Sequence, residues 1–186
     1  WLPAGLAFAG ALAALVAEMF DARETGVVLA WAGLAAATVV SIAASLLPVG
    51  PSDTVVTSVF GSVLAGGAFA GLSGVVYFTA FLSVASGLAS VRENARVAVA
   101  SLIAIGAAAG QVLIGASDVV VLFVALELLA LIAYALVAAS GTDRSDEAAA
   151  RYFVQGAVAS GLAVLGLAVV VGLSGGVSSY DVLSTA

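Results

Sequence analysis

The sequence predicts an all-α membrane protein that crosses the bilayer about six times. Three observations carry that prediction. Of 186 residues, 63% are hydrophobic and only 9% charged, with mean hydropathy +1.26; a soluble domain carries about 25% charged residues. Six windows, roughly 2–20, 27–47, 70–90, 97–115, 118–139 and 152–173, each hold a mostly apolar run. About 20 such residues suffice for a helix rising 1.5 Å per residue to cross about 30 Å of hydrocarbon. Finally, charged or turn-rich breaks separate the windows: "DARETG", "PVGPSD", "VRENAR", "GASD" and "SGTDRSDEAAAR".

The first span opens "WLPAGLAFAG", without the charged segment of a cleaved signal peptide. It also lacks an initiator Met, which favours a trimmed chain. Glu18, at the end of this span near Arg23, reads as half of a solvated helix-end pair. After the second span, 54–68 ("TVVTSVFGSVLAGGA") is rich in Val and Thr with Gly punctuation. That composition favours a short extended β-hairpin over a seventh helix. In the fourth span Gly106 and Gly110 form a GxxxG, and in the sixth Gly156 and Ser160 form a small-xxx-small pair. Plain close packing of helices is the simplest reading of both. Asp118, after Ser117, has the place and chemistry of an N-cap for span five, and "DRSDE" reads as a solvated loop.

The charges orient the chain. Arg23, Arg92, Arg96, Arg144 and Arg151 all lie in or beside the first, third and fifth connections; the second and fourth carry only Asp53 and Asp118. Alternating spans place every Arg on one face, which the positive-inside rule makes cytoplasmic. The expected location is therefore the cell's inner (cytoplasmic) membrane, with both chain ends outside. A helix at 54–68 would scatter the Arg over both faces.

Composition also excludes function classes. There is no Cys and no His, hence no disulfide, no thiol or His nucleophile and no His-ligated metal or haem. The net charge of −6 and the lack of a basic run leave nothing to follow a nucleic-acid backbone. No glycine-rich phosphate loop follows a strand.

The residue that demands explanation is Glu127, inside "VLFVALELLALIAYALVAAS". It lies about 13 Å into span five by helical rise, near the bilayer midplane. A carboxylate there costs roughly 2.5 kcal/mol or more on insertion scales. It is either a neutral acid bonded to a neighbouring helix or a titratable site on an ion path, and intramembrane acids favour the second. Tyr134 lies seven residues on, on nearly the same face, either as a hydrogen-bond donor or as an interface aromatic. Arg151 opens span six, with Gln155 one turn later on the same face. Arg151 can supply a fixed field or an ion pair but cannot relay a proton; it reads equally as a snorkelling residue that counts only toward topology.

Two stretches carry a resemblance. "LFVALELLALIAYALVAAS" and, after the charged loop, "DEAAARYFVQGAVASGLAVLGLAVVVGLSGGVS" resemble the antiporter-like proton-channel family of respiratory complex I. Within it the subunit N type of NADH:quinone oxidoreductase is favoured by the LEL context and by the AS pair in span six. The match is good over about 116–183, fair over 70–115 and only hydropathic before that. Membrane hydrogenases and Mrp-type sodium/proton antiporters share much of the pattern. The resemblance implies that Glu127 is the family's fifth-helix glutamate, coupled to a lysine on a later helix; Arg151, Tyr134 and Gln155, from their own positions on the helices, are the candidate electrostatic or hydrogen-bond partners. Arg151 stands where the family usually has Lys in "KYF", which keeps charge and loses easy deprotonation. The family fold has about fourteen helices with inverted five-helix repeats, so this chain reads as an N-terminal fragment of a longer subunit.

The implied function is proton translocation by a non-redox membrane subunit of NADH:quinone oxidoreductase, surrounded by lipid and by other membrane subunits. NADH, FMN, iron–sulfur clusters and quinone would belong to partner subunits, with no cofactor in this chain. The alternatives are an Mrp-type antiporter or membrane-hydrogenase subunit, and a structural scaffold in which Glu127 is a neutral interhelical bond. The topology is directly testable, because the chain is free of Cys. Cysteine introduced at Ser52 and at Ser145 should react with an impermeant thiol reagent from opposite sides of the membrane. Reaction of both from one side contradicts six spans.

Overall fold

The computed structural model describes residues 2–20, 22–46, 67–88 and 91–180. Six α-helices are present among them: α1 (Leu2–Met19), α2 (Arg23–Leu46), α3 (Gly67–Gly87), α4 (Arg96–Ile114), α5 (Val119–Ala138) and α6 (Asp143–Leu173), with a 3-10 turn at Glu93–Ala95 before α4. All six are long and apolar enough to cross a membrane. The β-hairpin expected at 54–68 lies outside the described residues up to 66, and Gly67 and Ala68 belong to α3.

One expectation is corrected. The stretch "DRSDE" is no loop; it forms the first turns of α6, which has 31 residues. Thr142 caps the helix: its Oγ1 accepts from the Ser145 amide at 3.1 Å, and its own amide donates to Ser145 Oγ at 2.9 Å. Asp143 and Asp146 sit in the first turn, where the helix dipole favours anions. Ala148, Ala149 and Ala150 then extend the helix at the best intrinsic propensity. At 1.5 Å per residue α6 is about 46 Å long, so its leading turns stand clear of the hydrocarbon.

The first four helices form the closely packed part. α4 touches α1, α2, α3 and α5, while α6 packs against α5 alone among the more extensive helix pairs. Half of the apolar window of α4 is buried, against none of that of α6. Small side chains make this possible. Ala7, Ala11 and Ala14 line the inner face of α1 and Ala100, Ala104 and Ala107 that of α4. Where α1 crosses α2 the backbones meet: a Cβ on Gly10 would lie 2.9 Å from the Gly33 Cα, and one on Gly33 would lie 2.9 Å from the Leu6 carbonyl oxygen. Between hydrocarbon-soluble helices, van der Waals packing of this kind replaces the hydrophobic drive that water supplies. Trp31 of α2 stacks on Phe81 of α3 at 4.5 Å between ring centroids. The buried Tyr77 hydroxyl donates to Gln111 Oε1 at 2.6 Å, joining α3 to α4.

The Arg-bearing connections share one end of the bundle. A Cβ on Gly26, early in α2, would touch Val97 at the start of α4 at 3.1 Å. The Arg92 guanidinium, just before α4, lies over Gly141 in the α5–α6 turn.

The Gly10–Gly33 crossing leaves no room for a side chain. Gly10→Val should destabilise the fold by about 1–3 kcal/mol, the usual cost of overpacking, and lower the thermal midpoint of the purified protein. Gly161→Val, at a position with nothing within 4 Å, should leave it nearly unchanged.

Candidate functional site

α5 and α6 run back to back, and their shared face carries Glu127, Tyr134 and Ser160. Glu127 is the ninth of the 20 residues of α5 and is half-buried. Its Oε1 accepts a hydrogen bond from the Ser160 hydroxyl of α6. Seven residues along α5, Tyr134 lies against Gly156, so closely that a Cβ there would sit 1.7 Å from the phenol oxygen. The small-xxx-small pair of α6 therefore meets both polar residues of α5. Gly156 admits the Tyr134 ring, and Ser160 supplies the donor for Glu127.

Sequence reasoning marked Ser160 only as a packing residue. Its role as donor depends on the rotation of α6 about its axis, which a small residue in a Gly- and Ala-rich helix does not announce. The Tyr134 ring packs between α5 and α6, edge-to-face with Tyr152 at 4.7 Å and with Phe153 at 5.7 Å, and has no hydrogen bond among the described residues. Arg151 is not brought to Glu127. It pairs with Glu147, one turn earlier on α6, at 2.6 Å and in an exposed position. Nine residues, about 13.5 Å of helical rise, separate it from Ser160. Gln155 shares an outward hollow of α6 with Arg151 and has no hydrogen-bond partner among the described residues. The Arg23 side chain, expected to pair with Glu18, lies outside the described residues. No group of three or more His, Cys, Asp or Glu side chains converges as a metal site among the described residues.

A hydrogen-bonded clasp closes the opposite end of the α5–α6 pair. Asp118 is the N-cap of α5, as expected, accepting from the amides of Val120 at 2.8 Å and Val121 at 3.3 Å. The chain beyond α6 turns through Gly175 and Gly176, at φ +72° and +88°, a region that only Gly enters freely. It then returns to α5. The Ser178 hydroxyl donates to Asp118 Oδ2, the Val119 amide donates to the Ser178 carbonyl at 3.0 Å, and the Tyr180 amide donates to the Ser117 carbonyl at 3.0 Å. Desolvation pushes the Asp118 carboxyl upward, but the Ser178 hydroxyl and the two amides outweigh it and hold the acid below its ordinary 3.8. Desolvation and then the Asp118 charge raise the Tyr180 phenol.

Comparison with known proteins bears on this same pair of helices. Residues 116–186 match the family described as NADH:quinone oxidoreductase/Mrp antiporter, TM. The NADH-quinone oxidoreductase subunit N of Desulfovibrio desulfuricans is 46% identical over 76 residues, covering 40% of this chain and 15% of that protein. The NAD(P)H-quinone oxidoreductase subunit 2 of Microcystis aeruginosa is 34% identical over 127 residues, covering 63% of this chain and 25% of that one. The subunit N of Sphingopyxis alaskensis is 32% identical over 121 residues, 64% of this chain and 25% of its own. The chain thus spans only 15% to 25% of the length of these relatives.

The clasp makes a pH-dependent prediction. Asp118→Ala should cost about 1 kcal/mol of stability, as lost N-caps do. Because the folded acid is depressed, its contribution is complete above the ordinary value of 3.8 and disappears as pH falls through the lower folded value. Thermal melts of wild type and Asp118→Ala should therefore differ at neutral pH and converge in acid below that value. The helices that hold Glu127 and Ser160 in contact lie within the stretch, residues 116–186, that matches the family described as NADH:quinone oxidoreductase/Mrp antiporter, TM.

Proposed function

We propose that the chain is part of a proton-translocating membrane subunit of an NADH:quinone oxidoreductase, and that Glu127 is its titrating group. The observation that carries this reading is the placement of Glu127 at the middle of a membrane-spanning helix, bonded to Ser160 of the next helix and, among the described residues, to no fixed cation. A carboxylate locked to an Arg would be pinned in its charged state. A carboxyl facing a hydroxyl is free to change state, because Ser donates to the ionised form and accepts from the protonated one. The contact therefore survives uptake and release of a proton with only the direction of the hydrogen bond reversed.

The names of the relatives favour the oxidoreductase over the Mrp antiporter, whose family description is shared. In this reading NADH, FMN, iron–sulfur clusters and quinone belong to partner subunits. Electron transfer there changes the field at Glu127, and the acid answers by taking up or releasing a proton. Arg151 and Gln155 on α6 and Tyr134 on α5 contribute at a distance, through charge and packing. The Arg-bearing end of the bundle faces the cytoplasm of a cell whose inner membrane holds the protein, as the positive-inside rule requires.

The test belongs in the complete complex. Glu127→Gln keeps size and hydrogen bonding but removes titration, so assembly should persist while proton pumping falls to a small fraction of wild type. Glu127→Asp should retain part of the activity. Ser160→Ala, which leaves the acid and removes its donor, should impair pumping less than Glu127→Gln. Wild-type pumping by an assembled Glu127→Gln complex would falsify the proton-site assignment and favour a scaffold role.

A further inference from the structure

We propose that the cavity between the start of α4 and the α5–α6 turn binds the phosphate headgroup of an anionic phospholipid, with Arg92 as its anchor. The cavity holds about 370 Å³ and has two chemically distinct walls. Val99, Leu136 and Ala139 form an apolar floor, whereas Arg92, Ser140 and Thr142 form a polar rim. The rim lies at the helix ends, where headgroups sit, and the floor extends toward the hydrocarbon. An apolar floor below a cationic rim is the shape of a phospholipid.

Arg92 is prepared for such a ligand. Its side chain, though exposed, reaches over the α5–α6 turn: its Nη1 lies 2.7 Å from the place of a Cβ on Gly141, a residue at φ +63° that favours glycine on backbone grounds as well. The guanidinium has no ion pair and no hydrogen bond among the described residues. Arg96, by contrast, donates to the Val91 carbonyl at 3.3 Å and Arg151 is paired with Glu147. Glu93, the adjacent acid, lines the neighbouring cavity with Glu24 and Arg96. A guanidinium engages phosphate through two parallel, charge-assisted hydrogen bonds, and basic pockets between membrane helices are recurrent headgroup sites. Thr142 adds a donor, since its Oγ1 accepts from Ser145 while its hydroxyl proton has no acceptor.

The apolar floor discriminates between ligand sources. Asp143 and Asp146, exposed in the first turn of α6, oppose any phosphate alike, and a free ion gains nothing from the apolar floor to offset them. A phospholipid adds that apolar contact and stays in the plane of the membrane beside the cavity.

The experiment uses the intact complex purified from its native membrane and exchanged into a neutral detergent. A phosphatidylglycerol bearing a photoactivatable group near the glycerol is cross-linked, and the modified peptides are mapped by mass spectrometry. Labelling should fall on the peptides containing Val99 and Leu136. Arg92→Gln should reduce it about tenfold, the worth of one charge-assisted hydrogen bond; Arg92→Lys should retain part of it and Arg144→Gln nearly all. Leu136→Trp, which fills the floor and keeps the charge, should also lower labelling, so the proposal does not hang on the Arg92 variant assembling. Labelling that phosphatidylcholine reproduces equally, or that survives Arg92→Gln unchanged, overturns the proposal. Complete competition by inorganic phosphate also overturns it and identifies a free-anion site instead.

Discussion

The packing of the first helices begins with the backbone contact between Gly10 of α1 and Gly33 of α2. Lipid tails are as apolar as the side chains they touch, so burying Leu or Val between helices gains little over leaving it in the membrane. What remains is the dispersion energy of close approach, and that requires the absence of bulk. Ala7, Ala11 and Ala14 on α1 and Ala100, Ala104 and Ala107 on α4 continue the same logic. Many larger residues, among them Leu12, Val16, Val39 and Leu82, are turned outward, while Leu34, Tyr77, Val84 and Val97 are buried. In a water-soluble protein this distribution would be inside out.

α5 and α6 are held by a different principle. They attach to the packed core chiefly through α4, and their mutual contact is polar at two depths. Ser160 meets Glu127 within the membrane, and the Asp118 clasp gathers Ser178 and the backbone of 117–120 at one rim. Hydrogen bonds fix rotation about a helix axis more sharply than smooth apolar packing does, because they are directional. This pair of helices thus depends less on close packing than the four helices beside it.

Much of this could be read from the chain, and what could not has a physical reason. Helix number, the Asp118 cap and the isolation of Glu127 are properties of single segments, set by run length, side-chain chemistry and hydropathy. The rest required knowing which helix faces meet. Tyr77 and Gln111 lie 34 residues apart, and nothing local to either marks the other as its partner. The chain has 21 glycines, of which Gly10 and Gly33 sit at a backbone crossing while Gly5 and Gly161 have nothing nearby; spacing does not separate the two groups. The leading turns of α6 were misjudged for another reason. "DRSDE" is polar enough to be a loop, and only the Thr142–Ser145 box and the Glu147–Arg151 pair make it a helix. Polarity reports contact with water, not the absence of a helix.

The unbroken course of α6 has a mechanical consequence. A continuous helix is stiff along its axis, so the Glu147–Arg151 pair near one end and Ser160 at membrane depth move as one body. A twist of α6 by one residue's worth of arc, about 100°, would carry the Ser160 hydroxyl away from Glu127 altogether. Much smaller rotations would lengthen their bond. The exposed turns of α6 are in that sense a handle, and a force applied to them in the aqueous phase is felt by a carboxyl group in the middle of the bilayer.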